Sequence, residues 1–158
     1  MLTNEQQIIL VNALLAETDP SIVAAIASRL DDVLVSWVNT QTVNDAWMNM
    51  AYKIDLFDAI DLTKYNNITA GSRDTWKYLN DMSPIDFGIA KRRQAIVDVW
   101  GTTDSVVILQ KLRRKATKGE MYFGGTVVTT NTVSALKLNF PGLISKDDMA
   151  YAFNVQHP

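Results

Sequence analysis

Apolar residues return every three or four positions along most of this chain, and the runs are bracketed by residues that start or stop helices. Thr3 and Gln6 have the spacing of a capping box, after which Ile8, Val11, Leu14 and Leu15 share one helical face, predicting a helix to about Glu17. Asp19-Pro20 marks a second start, because proline at the first helical position forfeits no hydrogen bond, and Ile22, Val23, Ile26 and Leu30 form its stripe. Asp31-Asp32 opens a third short helix with Val33, Leu34, Trp37 and Val38, which ends in polar residues 39–42.

Residues 43–60 fit helical spacing better than strict alternation, through Trp47, Met48, Ala51, Leu56, Phe57 and Ile60. Residues 63–71 read as a connection, and Thr69 or Ser72 caps a helix carrying Trp76 and Leu79. The longest helical pattern covers residues 85–100, with Ile89, Ile96, Val99 and Trp100 inward, Lys91, Arg92 and Arg93 largely outward, and Gly101 as its stop. A further helix follows from residues 102–104, with Val106 and Leu109 inward and a basic last turn at 111–115 that suits the helix dipole. Thr117 with Glu120 repeats the capping box before Met121-Tyr122-Phe123 and Gly124-Gly125.

The period then changes. Residues 126–130 and 133–138 are rich in β-branched side chains, and Asn131 can turn the chain between them, which predicts a β-hairpin or an extended arm. Ser145 and Asp148 cap a last short helix bearing Met149, Ala152 and Phe153, and residues 154–158 read as a flexible tail. The expected fold is mainly α: one compact multi-helix domain over residues 1–158 with a short hairpin or arm near its C-terminal end.

The chain has 158 residues, 47% of them hydrophobic and 20% charged, a balance that supports a folded core rather than bulk disorder. It has no cysteine, which excludes disulfides, thiolate metal sites and cysteine nucleophiles. The first residues lack the pattern of a signal peptide and no apolar run reaches the ~20 residues that span a bilayer, so no membrane partner is expected and the chain is expected to be soluble and cytoplasmic when made. The net charge of −2 is unevenly spread. Residues 1–63 carry nine acids against Arg29 and Lys53, whereas residues 91–118 carry eight bases against Asp98 and Asp104.

Catalytic templates are missing. The one histidine, His157, is next to the last residue, and no Walker loop, dinucleotide-binding glycine pattern or nucleophile elbow occurs. Asp55, Asp58 and Asp61 are spaced to share a helical face, but a solvated acidic face is the simpler reading, and Trp37, Trp47, Trp76 and Trp100 fit core stripes better than a ligand cage. No catalytic residue, metal, cofactor or small-molecule substrate is expected. What remains is an interaction surface. Lys91, Arg92, Arg93 and Arg113, Arg114, Lys115 lie on successive helices that a short connection would make antiparallel, joining them into one basic patch. Such a patch can take DNA phosphate or the acidic layer at Asp31 and Asp32 of another copy, and it can equally be a plain solvated surface. Val127 and Val128 can add as a strand to a neighbour.

Several short motifs carry a family resemblance: Asn67-Ile68-Thr69 with Arg73 and Trp76, Ile96-Val97-Asp98-Val99-Trp100-Gly101 with Asp104, Arg114-Lys115-Ala116-Thr117 with Glu120, and Ile144-Ser145 with Asp148. Across roughly residues 66–150 these resemble a family of small proteins encoded among the structural genes of tailed bacteriophages and prophages. The resemblance implies a non-enzymatic place in the virion. The first expectation is a head–tail connector or neck component that forms a ring through its own copies and through portal, neck or tail proteins. The alternatives are a tail or baseplate component and a small DNA-binding or assembly-regulating protein.

Overall fold

The caps read from the sequence at Thr3, Asp19, Thr69, Thr117 and Ser145 act as caps in the computed structural model, which describes residues 1–157. The Thr3 hydroxyl accepts from the Gln6 N–H while the Gln6 side chain accepts from the Thr3 N–H, and α1 (Asn4–Leu15) starts there. Asp19 accepts from the Ser21 N–H ahead of α2 (Pro20–Ala27), and α3 (Asp31–Val38) stops at Asn39 as the polar stretch predicts. The chain then enters β1 (Gln41–Trp47). Next come α4 (Lys53–Ala59), α5 (Leu62–Asn67) and α6 (Ala70–Asp81). Asp55 accepts from the Tyr52 N–H and Asp61 from the Thr63 N–H, so two of the three spaced aspartates begin helices. Residues 63–71, expected to be a plain connection, contain most of α5.

α7 (Ala90–Lys111) is interrupted at Gly101, whose φ of +71° is costly for any residue with a Cβ. It begins later than expected, because Ile85 pairs with Ala51 and the Phe87 N–H donates to the Met48 carbonyl at 2.7 Å. Then follow β2 (Arg113–Thr117), α8 (Lys118–Tyr122), β3 (Gly125–Thr130), β4 (Val133–Leu138) and α9 (Lys146–Gln156). β3 and β4 form the hairpin, closed by Asn131 and Thr132, both at positive φ. Residues 154–156 of the expected tail are helical, His157 caps α9, and Pro158 lies outside the described residues.

The mainly-α expectation is overturned. Helix makes up 58% and strand 17% of the structure, and the hairpin is half of a mixed four-stranded sheet ordered β2-β1-β4-β3, so the fold is mixed α/β. β1 runs parallel to β4 with Ala46 opposite Leu136. Neither β1 nor β2 alternates apolar and polar residues, and both become strands through partners far away in sequence.

The chain divides into two compact units, residues 1–43, 116–125 and 138–158 in the first and residues 44–115 and 126–137 in the second. In the first, α1 and α3 pack on α9, and Leu10, Leu14, Leu34, Phe123, Met149 and Phe153 form the core. Gly119 sits so close to Val38 that a Cβ would lie 3.2 Å from its carbonyl oxygen. In the second, α4 and α6 pack on α7 around Trp47, Phe87, Ile96, Trp100, Leu109 and Leu112, with Trp76 edge-on to Trp100 at 5.4 Å.

A half-buried tyrosine makes the first unit sensitive to alkali. The Tyr122 hydroxyl donates to Glu17 at 2.5 Å and accepts from Trp37 Nε1 at 3.3 Å. Burial, with the Glu17 carboxylate beside it, pushes its pKa up to about 12 from 10.0. The fold favours the protonated phenol, so this contribution is complete below pH 10 and is lost as pH rises towards about 12. The denaturant midpoint of the wild type should therefore fall more steeply than that of Tyr122→Phe across that window. Parallel curves would refute the assignment.

Candidate functional site

Arg93 does not belong to a surface patch. It is 2% exposed, and its guanidinium donates to the Phe87 carbonyl at 2.6 Å and to the Thr130 hydroxyl at 2.9 Å while lying 4.9 Å from the Trp47 ring centroid. Burial lowers its pKa against the opposing field of Asp86. Arg92, beside it, is half-buried and donates to the Asp86 carbonyl at 3.3 Å. Lys91 is exposed and makes no hydrogen bond or ion pair among the described residues.

The second basic triplet lies on β2, not on the last turn of a helix, so the expected patch across two antiparallel helices is not formed in that way. Asp45 of β1 organises it, pairing with Arg113 at 2.9 Å and Lys115 at 2.8 Å. The hydrogen bond from Lys115, aided by the charge of Arg113, holds the Asp45 carboxyl below its ordinary range despite partial burial. Arg113 also donates to the Ser134 carbonyl, and Arg114 to the Asn49 side chain. Sequence reasoning missed Asp45. The signal was one acid in an otherwise uncharged stretch, able to pair with the first and third of three consecutive cations once both segments are strands and those two share a face.

The acidic side is more open. Asp31 and Asp32 occupy the first turn of α3, where the helix dipole favours them, and Asp32 forms an exposed pair with Lys146 at 2.9 Å. That hydrogen bond raises the Lys146 pKa. On α9, Asp147, Tyr151 and Val155 follow one another at four-residue spacing and all are exposed. In the hairpin, Val127 is 65% exposed and Val128 half-buried, on the edge strand of the sheet opposite β2.

Two concavities belong to the second unit. A cleft of about 230 Å3 beside Trp100 is crossed by the Lys64–Asp104 pair at 2.6 Å, whose hydrogen bond raises the Lys64 pKa. It falls below the ~300–1,000 Å3 of typical small-molecule sites, and its facing charges already satisfy each other. A groove of about 400 Å3 lies between α6 and the start of α7. Tyr78, Leu79, Met82 and Ile89 line it together with Lys91 and Arg92. Tyr78 is 66% exposed and Met82 and Ile89 are partly so, an apolar surface that water covers poorly. Nothing in the sequence pattern singled out this groove, since Tyr78 and Met82 extend an ordinary amphipathic stripe.

Among the described residues no three His, Asp or Glu side chains are grouped to hold a metal ion, and no helix is long and apolar enough to cross a membrane. His157 is exposed, its carbonyl accepting from Arg29 and its ring edge-on to Phe153. No protein-family model, curated protein or solved structure matches the chain.

Proposed function

We propose that this chain is a non-enzymatic structural protein of a tailed bacteriophage particle, a head–tail connector or neck component whose copies join head to tail in a ring. The bacteriophage part rests on the motif resemblance described above. Self-association rests on one observation: charge is sorted by unit. The first unit has eight acids and three bases, a net −5, and the second has twelve bases and nine acids, a net +3. A subunit with unlike charge on two different parts favours heterologous contacts, and repeated heterologous contacts that close give rings. DNA binding draws less support, because Arg93, Arg113 and Lys115 already have partners within their own unit.

Light scattering across protein concentration and ionic strength tests this. The expected result is a multi-subunit mass at low salt that falls as salt rises, since exposed charges are screened beyond ~10 Å at 0.1 M. A monomer at every concentration would overturn the self-associating reading.

A further inference from the structure

The α6–α7 groove is lined by apolar side chains and two cations, and α9 carries a stripe that complements it. Tyr78 and Met82 stand four residues apart on α6 and its C-cap, and Tyr151 and Val155 stand four apart on α9. Apolar pairs at this spacing form the ridges by which one helix seats beside another. Asp147 precedes Tyr151 by one turn, so the stripe begins with an acid and continues with two apolar anchors over about 12 Å of helix. The groove offers the complementary set, Lys91 and Arg92 from the first turn of α7 together with Tyr78, Met82 and Ile89. Lys91 and Asp147 are both exposed and neither side chain makes a hydrogen bond or ion pair among the described residues, although the charge of Asp147 adds to the field that raises the Lys146 pKa.

We infer that the groove of one copy receives α9 of the next, Tyr151 and Val155 filling it and Asp147 meeting Lys91 and Arg92. This rests on the self-association reading and names its interface. The occupant is chosen by charge: a net-negative unit presents the stripe and a net-positive unit the groove. α9 also offers what a groove-binding helix needs, apolar anchors at positions i and i+4 on an exposed face. Stripe and groove belong to different units, so every copy supplies one and receives the other. A single contact of this size is weak, and closure of a ring makes the assembly stable.

The absence of cysteine allows a direct test. Full-length Met82→Cys and Tyr151→Cys are purified separately, mixed under mild oxidation and compared with each variant alone. The expected product is a disulfide-linked dimer specific to the mixture, which Lys91→Glu in the groove partner reduces about tenfold. Asp147→Lys in the α9 partner should then restore it. If the wild type assembles by light scattering but the mixture gives no specific product, the groove is not the interface, whereas self-association stands. If the wild type is monomeric and the mixture gives no product, both readings fall.

Discussion

Glu120→Ala is expected to remove about 3 kcal/mol of stability, a fall of roughly 6–12 °C in the unfolding midpoint for a chain of this size. Glu120 is 1% exposed, and its carboxylate accepts from the Thr117 N–H and the Gly142 N–H, each at 2.8 Å. One bond completes the capping box that starts α8, and the other fixes the loop ahead of α9. Asn39 fixes that loop again, donating to the Ile144 carbonyl and accepting from its N–H. Without the carboxylate, both backbone donors lose their acceptor where water does not replace it easily. Glu120→Gln keeps one acceptor oxygen, so it should cost about half as much. Calorimetry of the three proteins checks the order. Equal midpoints for wild type and Glu120→Ala would mean that the cap contributes nothing to the fold.

Arg93→Ala is expected to cost about as much, roughly 3 kcal/mol, by leaving the Phe87 carbonyl and the Thr130 hydroxyl without their donor and by opening space over Trp47. A lysine cannot reach both oxygens with a planar fork, so Arg93→Lys should recover less than half of the loss. Lys91→Ala, two residues earlier and exposed, should change stability by less than about 0.5 kcal/mol. The pair separates two roles for one basic run. If Arg93 were a surface charge awaiting a partner, both alanine variants would unfold at the same denaturant concentration as the wild type.

Helix starts were the most legible part of the fold, because a cap is a local interaction between residues two or three apart. Thr3 with Gln6, Asp19 with Pro20, Thr117 with Glu120 and Ser145 with Asp148 could all be read directly, Thr69 was one of two candidates with Ser72, and each of these caps begins a helix. The hairpin at 126–138 was legible for the same reason, since Asn131 lies at its turn. β1 and β2 were not. Gln41 to Trp47 buries only its last two residues, and Arg113 to Thr117 continues the basic face of a helix so smoothly that no period changes at its start. Their strand state is decided by pairing with segments roughly 70 to 90 residues away, which lies beyond any window of local pattern. The site followed the same rule. The charges were visible as a composition, but whether Arg93 points to solvent or to Trp47 depends on the sheet that the pattern did not reveal.

Passage of the chain four times between the two units has a genetic consequence. The first core draws Leu10 and Leu34 from one stretch, Phe123 from a second and Phe153 from a third, while the second unit is itself interrupted. No single crossover between related genes can exchange one unit and keep the other whole. A fragment ending at residue 115 would carry the first unit's opening helices without the α9 that completes their core. The acidic and basic halves must therefore be inherited together, and their opposite charges can be tuned only one substitution at a time.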